Sequence, residues 1–570
     1  MLKISGIYLA SILLLSVSST VQSHFALATS NLTPLLAFNL STKKASRCKR
    51  VLVQENDTSS YTRIFRKPPS LESQLHQSIG EDQIALGEAT GIYVHIPYCR
   101  RRCRYCDFAI VPIGDQYKSE RALTGFQRMD ESYRKSIISE IDLLIQSLKA
   151  QTSGSDIGHK IRLSSIYFGG GTPSLAPIQT IQSIVDHILA SDGAFLLEED
   201  AEMTIEMDPG TFTVEHLQAL KQIGFNRISL GVQSFNDTIL EGIGRVHRRK
   251  DIDQAIQSID IVYGSDGANY SLDLISGLPG LTLDLWNATI QTALSLKPAP
   301  NHLSVYDLQI EEGTNFGKLY TEREDDEEDM EDDGTHEFRT VSDMTSTSSH
   351  VGITGGLLPL PSSEECASMY KHASEYLRSN GFEHYEISSY ARVKKYTAKE
   401  NTSDCESFRS RHNQIYWRVD SEWYAVGLSA TSFIEKKRFA RPRMLADYND
   451  WVSRQATLHN EGVLEQEYDW LPFNENGYDD DDVGTKEEIL LDTIMTRLRT
   501  REGLDLNWIA AQNDGTNLLK CVLRGAELQP GLVHIDTRNC VEDQGILRLI
   551  DPEGFLFSNY VISNIFAELP

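Results

Sequence analysis

The chain has 570 residues, 40% hydrophobic and 24% charged, which is too long for one ordinary core and predicts two or more soluble domains with insertions. A formal net charge of −27 argues against a reader of phosphate backbones, which would carry a basic stripe. Three of the eight cysteines crowd into residues 99–106 and five are scattered, a pattern of a metal cluster plus ordinary thiols rather than a disulfide framework.

Residues 1–54 read as a targeting presequence. Lys3 precedes an apolar run, Ile7–Val17, that is too short to span a bilayer and has the length of a signal-peptide core, so no stable membrane span is expected. Small residues follow, with a cleavage position near Ser23. From there to Gln54 no Asp or Glu occurs, while Ser, Thr, Lys43, Lys44, Arg47, Lys49 and Arg50 accumulate as in a transit peptide. The two-part order resembles the presequences of algae whose plastids lie behind extra membranes, and Phe25 fits loosely. A plastid is therefore expected, with the mitochondrion as the alternative. Simple secretion is opposed by the clustered cysteines.

Residues 55–90 form a lead-in to a β/α alternation over 91–319. The strand candidates are Gly91–Pro97, Ser165–Phe168, Met203–Met207, Arg227–Val232, Tyr270–Ile275 and His302–Leu308. Helix candidates lie between them: Ser132–Lys149, Pro177–Ala190, Val214–Ile223, Asp251–Val262 and Thr282–Leu296, the first with Ile137, Ile141, Leu144 and Leu148 at helical spacing. Six β-then-α units predict an α/β fold, a partial (β/α)6 barrel with a parallel sheet, whose chemistry belongs at the C-terminal strand ends. Those ends are marked by the cysteines, by Gly169-Gly170-Gly171-Thr172-Pro173, by Glu206 with Asp208-Pro209-Gly210, by Gly231 and Gln233, and by Asp273 with Gly277-Leu278-Pro279-Gly280.

Residues 322–333 read EREDDEEDMEDD, and 320–363 read as a disordered acidic insertion. A barrel extension follows at 364–465, with a helix over Glu364–Asn380 and the segments Tyr385–Tyr390 and His412–Trp417. A second loose acidic insertion is expected at 466–485. Residues 486–570 read as a small α+β domain of winged-helix type, with strand-like pieces at Gly531–Ile535 and Ile546–Ile550 and a last helix at Asn559–Glu568.

The segment CRRRCRYC places Cys99, Cys103 and Cys106 as Cys-x₃-Cys-x₂-Cys. Three thiolates on one short loop hold three corners of a [4Fe–4S] cube and leave one iron open. Zinc is the competing reading, but zinc wants a second Cys or His pair, and only His95 lies upstream. Glu206 and Asp273 sit in otherwise apolar strands, where a carboxylate is costly unless paired or facing a ligand. Arg245 follows Glu241 at helical spacing and also reads as a surface pair.

At these residues the sequence resembles the radical S-adenosylmethionine proteins, in particular their HemN/HemW branch. The matching stretches are IYVHIPYC, CRYCDF, GGGTPS, IEMDPG, RISLGVQSF, GRVH, DLISGLPG and HNQIYW, covering about 90–320 and 364–570. The resemblance implies that the open iron binds S-adenosylmethionine. Tyr93 and Tyr105 would line that cofactor, and Gly171, Thr172 and Pro173 would let the backbone approach its methionine end. Glu206 would accept hydrogen bonds from the ribose, with Gln233, Arg245 and Asp273 completing the pocket.

The branch holds two activities. Its oxygen-independent coproporphyrinogen III oxidases carry a further cysteine two residues after the triad, where this chain has Phe108. Its HemW-type haem chaperones resemble the chain instead, through Cys106-Asp107-Phe108 and an H-N-x-x-Y-W motif at His412–Trp417. That resemblance implies haem as a ligand, haem-accepting proteins as partners and an electron donor if the cluster is reduced. His412 is a candidate haem ligand beside flat aromatic surface at Tyr416 and Trp417; alternatively it is a satisfied polar group in a seam. Whether the chain is an enzyme stays open between chaperone and oxidase. A third reading, a cluster-bearing RNA-modifying enzyme, is opposed by the acidic charge.

Overall fold

The computed structural model describes residues 90–117, 119–152, 160–190, 193–264, 267, 269–320, 358–393, 407–418, 421–434, 437–460, 486–512, 515–536 and 544–570. The presequence lies outside the described residues, and so do the lead-in up to residue 89 and nearly all of both acidic insertions. The end of the first expected insertion is ordered: the carbonyl of Pro359 accepts from Gly280 N at 2.7 Å.

All six expected strands form: β1 (Thr90–Ile96), β2 (Ile161–Gly170), β3 (Phe195–Met207), β4 (Arg227–Gln233), β5 (Tyr270–Ser276) and β6 (His302–Asp307). Each is parallel to the next in chain order. Between them run α1 (Glu120–Thr152), α2 (Ile178–Ile188), α3 (Val214–Ile223), the short α4 (Asp237–Gly242), α5 (Arg249–Tyr263) and α6 (Leu283–Ser295). Their limits follow local chemistry. Thr213 caps α3 by accepting from His216 N, and Gly224 ends it in the left-handed region at φ 119°. β3 begins at Phe195 rather than Met203, because its pairing with β2 shifts register across the polar run Glu198–Ala201 and hides the alternation.

Strands from the later chain extend this sheet on both sides. After α7 (Asn315–Tyr320) and α8 (Ser363–Ser379), the hairpin β7 (Phe382–Glu386) and β8 (Ser389–Arg392) adds antiparallel to β6. On the other side α9 (Arg411–Tyr416) leads into β9 (Glu422–Val426), which lies parallel to β1, followed by β10 (Thr431–Ile434), β11 (Lys437–Ala440) and α10 (Leu445–Asn460). The result is an open eleven-stranded sheet in the order β11-β10-β9-β1-β2-β3-β4-β5-β6-β8-β7. Its parallel part has seven strands, one more than the sequence alone suggests.

A buried ion pair holds the added strand in place. Arg441 Nε donates to Glu140 Oε1 of α1 at 2.7 Å. The other carboxylate oxygen accepts from Tyr448 at 2.6 Å and from Gly427 N, just past β9, at 2.8 Å.

The tail forms α11 (Lys486–Arg497), β12 (Leu504–Asp505), α12 (Leu506–Ala511), α13 (Gly515–Glu527), β13 (Val533–Asp536), β14 (Ile546–Leu549), α14 (Glu553–Leu556) and α15 (Ser558–Glu568). Its three antiparallel strands run β12-β14-β13, a winged-helix-like arrangement around Ile494, Val522, Ile562 and Ile565. Tyr370 and Ile387 join that core from the barrel side. Ile387 N donates to Arg499 O at 3.1 Å and Arg501 N to Tyr385 O at 2.9 Å, so the domain docks on the β7 edge. Among the described residues no helix is long and apolar enough to cross a membrane.

Candidate functional site

The chain leaves β1 through Pro97 and turns into the cysteine loop at the C-terminal strand ends. Cys99, Cys103 and Cys106 are free thiols, each partly exposed. Burial pushes the Cys99 thiol up to about 12 and the Cys106 thiol up to about 11, so thiolates there need a cation to share their charge. Among the described residues no three His, Cys, Asp or Glu side chains gather around one ion.

A polar relay ties this loop to the neighbouring strand ends. Cys99 Sγ lies 3.6 Å from Thr172 Oγ1, which donates to Asp208 Oδ2 at 3.2 Å. Asp208 Oδ1 accepts from Arg245 Nη2, which also donates to Gly231 O at 2.8 Å. Arg245 Nη1 then reaches Cys103 Sγ at 3.7 Å and the Tyr105 hydroxyl at 3.5 Å. Two of the three cysteines are thus connected through Thr172, Asp208 and Arg245. The surface-pair reading of Arg245 is corrected: its side chain is buried, and Glu241 pairs with Arg248 at 3.6 Å instead.

Gln233 sits beside the relay with a left-handed backbone, φ 65°. Its amide nitrogen lies close to Gly231, and its Oε1 is buried without a hydrogen-bond partner. A buried orphan acceptor is expensive unless a bound group supplies a donor. Gly171 has a structural reason of its own, since a Cβ there would lie 2.6 Å from the Pro97 carbonyl. Pro173 opens a buried 3₁₀ turn, Pro173–Leu175.

Glu206 accepts from the Tyr167 hydroxyl at 2.8 Å and from Gly170 N at 3.1 Å. Burial, with Asp273 nearby, pushes its carboxyl up to about 7. Asp273 accepts from Ser229 Oγ at 2.9 Å and is pushed up to about 6 by burial. Tyr93 stacks on Tyr167 and donates to or accepts from His95 Nδ1 at 3.1 Å. A Cβ on Gly169 would come within 2.9 Å of the Tyr93 ring and 3.0 Å of Glu206 Oε1, so glycine lets the tyrosine and the carboxylate approach.

His412 lies behind Tyr167, stacked on it at 5.0 Å, and is 1% exposed. Its Nδ1 bonds Ser165 Oγ and its Nε2 bonds the Tyr416 hydroxyl, each at 2.8 Å, while burial lowers its pKa to about 3. In this conformation neither nitrogen offers a lone pair to an iron, and the geometry matches the satisfied seam residue. Glu202 holds the start of α9 by accepting from Ser410 Oγ and from the backbone of Arg411 and His412. Phe108 is 45% exposed on the cysteine loop, between Arg102, which donates to its carbonyl, and the Asp107–Arg443 pair.

Sequence reasoning did not single out Asp208, Tyr167 or Ser229 as site residues. Asp208 stands in the strand-end motif Asp208-Pro209-Gly210, which was a usable signal. Tyr167 alternates with Ser165 and Gly169 on β2, and that period marks one face of the strand.

Seven parallel strands, a three-cysteine loop after the first of them and glycine turns with buried carboxylates at the later ends define a class, the radical SAM proteins. The Radical SAM superfamily matches residues 93–293. The chain is 33% identical over 490 residues to the heme chaperone HemW of Synechocystis sp., covering 84% of this chain and 97% of that one. It is 29% identical to the Bacillus subtilis heme chaperone HemW, covering 64% and 76%. It is also 26% identical to the mitochondrial radical S-adenosyl methionine domain-containing protein 1 of Dictyostelium discoideum, covering 74% and 83%. The solved coproporphyrinogen III oxidase HemN of Escherichia coli shares the fold at a TM-score of 0.57 and 18% identity, covering 85% of this chain and 91% of that one. The chain belongs to the HemW family of radical SAM proteins.

Proposed function

We propose that this chain is a haem chaperone that carries a [4Fe–4S] cluster and S-adenosylmethionine, takes up haem and passes it to acceptor proteins. The observation that carries this reading is the likeness to HemW over 97% of that protein's length. Phe108, standing where the oxidases of the branch have a further cysteine, agrees with it. The likeness to HemN extends to the fold, and decarboxylation of coproporphyrinogen III is the second reading.

Cys99, Cys103 and Cys106 would hold the cluster, which supplies one-electron reductive chemistry when bound with S-adenosylmethionine. The protein's part is to bind and shield. Arg245 and Thr172 brace the cysteine loop through Asp208. Glu206 would take the ribose hydroxyls with one carboxylate, Gln233 would turn its orphan carbonyl to a cofactor donor, and Tyr93, Tyr105, Gly171, Pro173 and Asp273 would shape the remaining walls. His412 serves by orienting Tyr167 and Tyr416. An electron donor is needed only if the cluster is reduced. The destination is an organelle. Relatives whose names place them in mitochondria support the mitochondrion, and the two-part presequence supports a plastid; a fluorescent fusion of residues 1–60 decides between them.

The test is anaerobic reconstitution of the full chain, followed by haem in one arm and coproporphyrinogen III with S-adenosylmethionine and reductant in the other. Haem should stay bound through gel filtration, and no vinyl product should form. Turnover, or failure to hold haem, overturns the reading. The triple variant Cys99→Ala, Cys103→Ala, Cys106→Ala should lose its iron to background, and retained iron would remove the cluster assignment.

A further inference from the structure

We infer that haem is held in the cleft between the β7–β8 hairpin and the winged-helix domain, by its flat faces and carboxylates rather than by its iron. This inference rests on the haem reading above and assigns it a place. The cleft has a volume of about 1240 Å³, beyond the roughly 300–1,000 Å³ of ordinary small-molecule sites, which is room enough for a ligand the size of a porphyrin. Arg392 pairs with Phe382 across the hairpin and sits next to Ala391, whose partner His302 begins β6. The cleft therefore lies toward the N-terminal ends of the parallel strands, away from the cysteine loop.

Its chemistry fits an apolar plate with two negative tails. Half-buried Phe408 supplies apolar wall, with Phe382, Leu549 and Phe555 buried just beneath the surface of the cleft. Arg378, Arg392, Arg501 and Arg548 bring four guanidinium groups to one cleft of a chain with net charge −27. Three of them answer local carboxylates: Arg378 pairs with Asp551 at 3.3 Å, Arg501 with Glu383 at 3.1 Å and Arg548 with Asp536 at 2.7 Å.

Arg392 is different. It lies over the Phe382 ring at 4.6 Å, reaches Pro300 O at only 3.4 Å and has no carboxylate partner among the described residues. A half-buried, unpaired guanidinium is costly and invites an anion. Arg501, with a 60% exposed side chain, spends one bond on Glu383 and has further donors of its fork to offer. Guanidinium forks suit carboxylates in two-pronged pairs.

Among the described residues that line the cleft no axial ligand is on offer. His384 lines the cleft, yet its side chain is fully buried, its Nδ1 bonds Asp551 Oδ1 at 2.9 Å and its ring stacks on Tyr390 at 4.1 Å. The site should therefore be indifferent to the metal. A cargo held without an iron bond also leaves its iron accessible to the acceptor's own ligand.

The experiment titrates the cluster-reconstituted full chain with haem, with iron-free protoporphyrin IX and with its dimethyl ester. Haem and iron-free porphyrin should bind within about threefold of each other, and the ester at least tenfold more weakly. Arg501→Gln and Arg392→Gln should each weaken both acids by about tenfold, the loss of one charge-assisted contact. Arg501→Gln alters an exposed side chain and keeps the test valid if Arg392→Gln misfolds. Unchanged haem affinity in folded Arg501→Gln, or binding that requires iron, overturns the site while leaving a haem chaperone intact. Failure of the wild-type chain to bind haem overturns the chaperone reading and the site with it.

Discussion

The six-stranded core is flanked by two additions, and each uses an Arg–Glu pair to bridge segments far apart in the chain. On the β9 side Arg441 and Glu140 meet at 2.7 Å with side chains 0% and 1% exposed. On the hairpin side Arg501 and Glu383 meet at 3.1 Å with side chains 60% and 10% exposed. The chemistry is the same and the consequence is not. In the first seam most polar atoms are already used, by Tyr448, Gly427, Ser432 and Phe439. In the second the guanidinium stays in contact with solvent and can exchange a partner. Burial, more than residue type, separates a lock from a binding surface.

The lock can be broken first, with the largest effect. Glu140→Ala leaves Arg441 buried without its carboxylate and should cost about 3–5 kcal/mol in chemical denaturation. A loss under about 1 kcal/mol would mean that β9 is held by other means. The hairpin side answers to pH. Burial pushes Glu386 up to about 7 from an ordinary 4.5. The folded state is favoured by that proton below pH 4.5, and the contribution is lost as pH rises through about 7. Glu386→Gln cannot ionise, so its stability relative to wild type should rise across this window by about 3 kcal/mol. A flat difference against pH would show that Glu386 does not titrate with unfolding.

His412→Ala strips partners from Ser165 and Tyr416 and should destabilise by about 2 kcal/mol. Its haem affinity should stay within twofold of wild type, and a tenfold loss would return His412 to the haem iron. The smallest effect is expected from Arg501→Gln, under about 0.5 kcal/mol in stability, because exposed ion pairs contribute little. The comparison of the flanks fails if Arg501→Gln destabilises as much as Glu140→Ala.

Much of the barrel was legible because its signals are local. Apolar runs with turn residues marked β1, β4, β5 and β6 to within a residue or two, and helical spacing marked α3 and α5. β3 was read short because Glu198–Ala201 breaks its alternation. β9 was missed although Trp423, Tyr424 and Val426 suit a strand, because its parallel partner β1 lies about 330 residues earlier and no local period points to that pairing. Arg245 looked like half of a surface pair because Glu241 stands four residues before it. Only folding brings Asp208 to its guanidinium.

The sequence by itself determined the cysteine triad, the six β-then-α units and the residues at their strand ends, since each depends on neighbours within one turn or strand. The tertiary structure decided what those residues can do. It joined Cys99 to Cys103 through Thr172, Asp208 and Arg245, and buried His412 against Ser165, 247 residues away. It also gathered four arginines from the hairpin, α8 and the tail into one cleft. Burial and partnership are properties of packed surfaces, and pairings across hundreds of residues leave no period in the chain to read.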